Sequence, residues 1–243
     1  MFYGDDVTID TAGWLQFADH VIHKEPKLVY LNAARDYFLN PTDAGNPLLY
    51  AFYERNYREE DEKIFKTYDL HYNLKLIRPG TINHEYFKCI PHFHIQDSVT
   101  NETYPEIHHI LEGEGVFMIH KNKEDPVKSV HAVPFVPGDN IYIKNGYGHS
   151  IINTGDQQVL ISSLIKKDAE QHLQTLPMDQ DNLYHIMEES KGQSEYVPGE
   201  NLKSSGVLDI TPPPMLDNPF PIEEGGLYAS FINNPLAFSL LWR

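Results

Sequence analysis

The stretch "PHFHIQDSVTNETYPEIHHILEGEG", residues 91–115, carries four histidines among several carboxylates. Its spacing is that of strands. In an extended chain alternate side chains share a face, so His92 and His94 point the same way. Glu106 opens the next apolar run, "EIHHILEG", where His108 shares its face and His109 takes the opposite one. Gly113 and Gly115 then permit a tight return. A second segment, "VPGDNIYIKNGYGHSIIN" (136–153), brings His149 just after the glycines 146 and 148. If its strand returns beside the first pair, three imidazoles and one carboxylate meet. Such a mixed nitrogen and oxygen set suits one divalent ion: iron(II), manganese, zinc or nickel.

Outward from these two segments the same texture continues. "TYDLHYNLKLIRPG" (67–80), "HEYFKCIPHFH" (84–94), "VFMIHKN" (116–122), "VHAVPFVPGD" (130–139) and "QVLISSLIKK" (158–167) alternate, with aromatic or β-branched residues. Gly, Pro, Asn or Asp separate them. Short strands about 8–12 residues apart predict an all-β sandwich or barrel. Three segments follow: an N-terminal extension over 1–60, a barrel over 61–170 and a C-terminal extension over 171–243. The charged run "YERNYREEDEK" (53–63) reads as a solvated turn or helix face. Residues 168–192 are expected to hold a helix, and the proline-rich "TPPPMLDNPFPIEEGG" (211–226) to be extended. The closing apolar "LYASFINNPLAFSLLWR" (227–243) is expected to pack on the barrel or on a partner subunit.

Composition narrows the function. A formal net charge of -16 disfavours nucleic acid and anionic membranes as partners. An anionic substrate then needs a local cation to capture it. One cysteine, Cys89, excludes an intrachain disulfide and suits a reducing compartment. No basic-then-apolar leader opens the sequence and no run approaches 18 apolar residues. The expectation is a soluble cytoplasmic protein.

The residues carry a resemblance. His92, His94, Glu106 and Gly113, then Gly138, Gly146, His149 and Asn153, stand at the spacings of the two cupin motifs. The finer sequence is similar to the cupin-type glucose-6-phosphate isomerases known chiefly from archaea. "GNPLLYAFYE", "LIRPGTINHEYF", "YPEIHHILEGEG", "VPGDNIYI" and "GHSIINTGD" carry that likeness over about residues 45–169. The resemblance implies a double-stranded β-helix of jelly-roll type and a homodimer. It implies a sugar-phosphate substrate and metal ligands at His92, His94, Glu106 and His149. Cys89, His108, Tyr142 and Lys144 are the expected substrate contacts.

The match has departures. Where the family reads T-x-G before its histidine pair, and uses that Thr and Gly to hold phosphate, this chain has Cys89 and Pro91. A thiol is a poor donor and proline has no N–H. His108 stands in place of a pocket tyrosine, Leu173 aligns with another, and Lys144 replaces the second motif's proline. Phosphate is therefore expected to be held differently, through Lys144 and His108. An enzyme for another sugar, or a non-catalytic binding module, are the alternatives. For an aldose–ketose isomerase, Glu106 or His108 is the base of a cis-enediol route, and a hydride shift needs none.

Overall fold

The alternation predicted around the histidines becomes, among the described residues, eight antiparallel strands of four or more residues between residues 70 and 166. The computed structural model describes residues 2–42, 45–97, 102–121, 129–175, 184–190, 193–199, 207–211 and 217–242. Among these, β1 (Leu70–Ile77), β2 (His92–Asp97), β3 (Glu106–Glu112) and β4 (Gly115–Lys121) are followed by β5 (Ser129–Phe135), β6 (Asn140–Ile143), β7 (Tyr147–Asn153) and β8 (Val159–Lys166). One sheet runs β2-β7-β4-β5 and the other β6-β3-β8-β1. Only β4 and β5 are consecutive neighbours within a sheet; every other connection crosses between sheets. That order is the jelly roll, the double-sheet solution that cupins use.

Turn chemistry sets the connections. Gly113, between β3 and β4, has φ +78°, and a Cβ there would meet the Gln158 carbonyl at 2.5 Å. Gly146 (φ +83°) turns the chain into β7, and its N–H donates to Thr103 Oγ1 at 2.7 Å. Asn153, from the second motif, is structural. Its Nδ2 donates to the carbonyls of Gln157 (2.8 Å) and Ile77 (3.2 Å), and its Oδ1 accepts from Gly155 N–H at 3.0 Å.

The inner faces of the two sheets meet in an apolar core that includes Ile77, Ile110, Phe117, Ile141, Ile151 and Ile161. The β6-β3-β8-β1 sheet is also covered on its outer face. Leu74, Leu76, Ile107 and Leu164 pack there with Leu227, Tyr228, Phe231 and Phe238 of the C-terminal segment. A helix, Gly226–Asn233, and a 3-10 turn, Pro235–Leu241, form that cover. The closing apolar segment thus packs on its own barrel. Burial on both faces explains why β8 is almost continuously apolar.

The extensions depart from expectation in detail. Lys27–Tyr30 and Leu48–Tyr53 add two strands to the β1 edge, so the N-terminal segment widens a barrel sheet. The charged run forms a 3-10 turn and the helix Glu62–Tyr68. Asp61 within it is buried and accepts from Tyr228 Oη at 2.7 Å. The helix expected over 168–192 is not found in its described part. A 3-10 turn (Lys167–His172) leads into strand Leu173–Thr175, which pairs along β2. Tyr184–Ser190 and Gln193–Pro198 form a hairpin. The unpaired edge of β2 offers backbone partners that outweigh a weak local helix preference. Residues 212–216 of the proline-rich stretch lie outside the described residues.

Two outcomes follow from this packing. Phe231 is fully buried, with Phe65 and Phe238 rings at 5.1 and 5.6 Å. Phe231→Ala is expected to lower unfolding free energy in urea by about 3–5 kcal/mol. His120 on β4 is buried against Phe93, ring centroids 4.9 Å apart, and burial pushes its imidazole down to about 4. The unfolded chain therefore binds the proton first as pH falls below about 6.5, and stability declines toward pH 4. His120→Leu is expected to remove roughly 3 kcal/mol of that acid-side loss, read from denaturation curves at several pH values.

Candidate metal centre and adjoining cavity

Strand parity brings five polar side chains to one end of the barrel interior. His92 and His149 are register partners on the adjacent strands β2 and β7. Glu106 and His108 face them from β3 in the other sheet. His94 lies two residues along β2 from His92. All five are buried.

The geometry is that of donors around a shared centre. Glu106 Oε2 lies 3.3 Å from His94 Nε2, 3.4 Å from His108 Nε2 and 3.9 Å from His149 Nε2. Donor atoms each about 2.1 Å from one ion stand roughly 3.0–3.4 Å apart. Donor atoms of Glu106, His108 and His149 all lie within 4.8 Å of one another. The His92 ring is 4.6 Å from that of His149 and 5.0 Å from that of His94. Glu106 Oε2, His149 Nε2 and both ring nitrogens of His108 are buried without a hydrogen-bond partner. Orphaned buried polar atoms in such number need a reason, and a cation supplies one.

Neighbouring carbonyls set two of the rings. His92 Nδ1 is 2.8 Å from the Ile90 carbonyl and His94 Nδ1 is 3.1 Å from the Ala169 carbonyl. Each Nδ1–H donates outward and each Nε2 lone pair is left facing in, the usual support for a ligating histidine. Burial holds the imidazoles of His92 and His149 well below the usual histidine range; the charge of nearby Lys75 adds to it at His92, and the His92 and His108 rings add to it at His149. Burial alone would raise the Glu106 carboxyl; the imidazoles of His108 and His94 reverse this and hold it well below the usual carboxylate range. Neutral rings around an ionised carboxylate are the protonation states a divalent cation requires.

His92, His94 and Glu106 line a cavity of about 190 Å³. Its other walls include Lys27, Tyr50, Asn73, Lys75 and Thr175. Lys75 Nζ lies 5.5 Å from the centroid of the Phe52 ring. Lys27 pairs with the buried Glu54 carboxylate. None of these residues stands among the expected substrate contacts. The sign was in "LHYNLKLI": Leu70, Tyr72, Leu74 and Leu76 mark one face, while His71, Asn73 and Lys75 share the other. The apolar face meets the C-terminal helix, so the polar face is the one turned into the barrel.

The expected substrate contacts are redistributed. Tyr142 and Lys144 do not reach the cavity, because Ile141 and Ile143 occupy the interior positions of β6. Tyr142 lies on the outer face against Phe220, ring centroids 5.2 Å apart. Lys144 is exposed and pairs with Asp217 at 3.2 Å. Cys89 is buried in the barrel core, where burial pushes its thiol up to about 11, and it does not line the cavity. Its backbone N–H donates to Ile151 and its carbonyl accepts from Ser150 Oγ at 2.6 Å. His108 faces the cluster and is not part of the cavity wall. His109 points outward, with Nδ1 2.8 Å from Asn140 Oδ1, as strand parity requires.

The family model described as glucose-6-phosphate isomerase matches residues 27–198. The chain belongs to this family. The glucose-6-phosphate isomerase of Thermococcus kodakarensis is 28% identical over 176 residues, 68% of this chain and 79% of the relative. That of Pyrococcus horikoshii is 24% identical over 162 residues, covering 64% and 78%. Among solved structures, a recombinant oxalate oxidase in complex with glycolate aligns at TM-score 0.37 and 16% identity, over 53% of this chain and 56% of that one. The glucose-6-phosphate isomerase match takes in Lys27, Tyr50 and Lys75 of the cavity as well as the histidine cluster.

The depressed His92 and His149 rings bear on pH. Their protons compete with a cation only well below about pH 6.5, the range of an unperturbed imidazole. The affinity for a divalent cation is therefore expected to fall by less than about tenfold between pH 7.5 and 6.0, measured by chelator competition.

Proposed function

We propose that this chain is a metal-dependent aldose–ketose isomerase that interconverts glucose 6-phosphate and fructose 6-phosphate. The observation that carries this reading is one cavity with His92, His94 and Glu106 of the buried cluster on one wall and Lys75 on another. His92, His94, Glu106 and His149 would hold one divalent ion. When bound, such an ion supplies Lewis-acid polarisation of the substrate's carbonyl and neighbouring hydroxyl oxygens.

The chain's own groups do the rest. At net charge -16 the protein repels a phosphate ester at long range, and capture requires a local positive group. Lys75 offers one inside the cavity, while Lys27, at the wall formed by the added strands, is paired with Glu54. Lys75 takes the place that Lys144 holds in the sequence-based expectation. Tyr50 and Asn73 add hydroxyl and amide groups for the sugar. Glu106 is ionised and lines the cavity, so it serves as the base. Its carboxylate takes the C2 proton of the aldose, leaving an enediolate with its negative charge on the C1 oxygen, and returns that proton to C1. The C2 hydroxyl proton passes to the C1 oxygen, which completes the ketose. His108, off the cavity wall, is not assigned this step.

A coupled assay on protein reconstituted with iron(II), manganese, zinc or nickel tests the reading. Turnover in both directions is expected with at least one ion, and no turnover with any of them would refute it. Glu106→Gln is expected to abolish activity. Lys75→Met is expected to raise KM for glucose 6-phosphate by about tenfold or more, the loss of one charge-assisted hydrogen bond. Its kcat should change less, and the mutation should have little effect on any turnover of unphosphorylated glucose.

A further inference from the structure

His108 is the buried polar side chain near the cavity for which this mechanism has no use. It is 1% exposed, and neither ring nitrogen has a hydrogen-bond partner. A neutral imidazole carries one donor and one acceptor, and leaving such groups buried and unsatisfied destabilises the fold. The ring does not line the cavity, so a substrate oxygen is not its partner. Phe117 packs against it with centroids 5.0 Å apart, an apolar wall on one side of the ring.

What the ring does face is the cluster. His108 lies two residues after Glu106 on β3, so strand parity aims both side chains at the same centre. Its Nε2 is 3.4 Å from Glu106 Oε2, and its ring is 5.0 Å from that of His149. These three residues form the group whose donor atoms lie within 4.8 Å of one another.

We propose that His108 is a direct ligand of the metal, so that the centre is built from four imidazoles and one carboxylate. This rests on the reading of the cluster as a metal site and adds a ligand to it. Metal binding gives one orphaned nitrogen its partner. It also explains why an imidazole fits where the family's pattern has a tyrosine: at this position the chain serves the ion and not the sugar. A nitrogen-rich set of this kind favours later first-row ions over magnesium or calcium.

The test uses the full chain loaded with cobalt(II), whose visible absorption reports its ligand set. Affinity is measured by chelator competition on wild type, His108→Ala and His108→Phe; the second variant refills the apolar space. Circular dichroism establishes that the variants compared are folded. Both variants are expected to bind cobalt at least about tenfold more weakly, with shifted bands, and added imidazole should restore the wild-type spectrum of His108→Ala. Wild-type affinity and spectrum in a folded variant would overturn the assignment. So would a raised KM for glucose 6-phosphate with an unchanged spectrum, the mark of a substrate contact. A wild-type chain that binds no cobalt, iron, manganese, zinc or nickel would overturn the metal centre as a whole, and with it the proposed chemistry.

Discussion

The ionised Glu106 carboxylate, buried among imidazoles, is the interaction to which the rest of this barrel answers. A charge taken out of water is costly unless it is paired and hydrogen-bonded. Here the imidazoles that surround it come from both sheets: His108 from its own strand, His94 and His149 from the opposite sheet. The site exists only while the two inner faces are held at sandwich distance. A divalent cation at this centre would complete the pairing of its charge.

That spacing is maintained by the apolar core below the cluster and by the cover on the outer face. Ile110, Phe117, Ile141 and Ile161 fill the barrel beneath the polar end. The C-terminal helix and turn bury the back of the β6-β3-β8-β1 sheet through Leu227, Phe231 and Phe238. The N-terminal strands extend the same sheet and bring Lys27, Tyr50 and Phe52 alongside Lys75. Segments outside the barrel therefore stiffen the wall that carries Glu106 and complete the cavity beside it. Among the described residues no helix is long and apolar enough to cross a membrane.

The histidine cluster was legible because period two is a local rule. Once residues 92–94 and 106–108 are read as strands, which side chains share a face follows from counting. The same counting separated His108 from His109. It was not what placed Tyr142 and Lys144 among the expected substrate contacts. Ile141 and Ile143 beside them carry the interior face, and their parity already pointed Tyr142 outward. Cys89 was misplaced for a similar reason: alignment with a phosphate-binding threonine gives it a position in the chain, but burial in the core keeps its thiol from the cavity.

By itself the sequence determined the all-β class, the two segments that carry the clustered histidines and Glu106, the face each of these shares with its strand neighbours and the family to which the chain belongs. Only the tertiary structure decided that the polar face of β1 turns inward, so that Lys75 and Asn73 line the cavity. Alternation states that a strand has two faces and not which of them meets the barrel interior. Here both faces of the sheet are buried, and the C-terminal helix took the apolar one. The inward grouping of His108 with Glu106 and His149 was likewise decided by the meeting of two sheets, a contact between residues about 40 positions apart that no local spacing encodes.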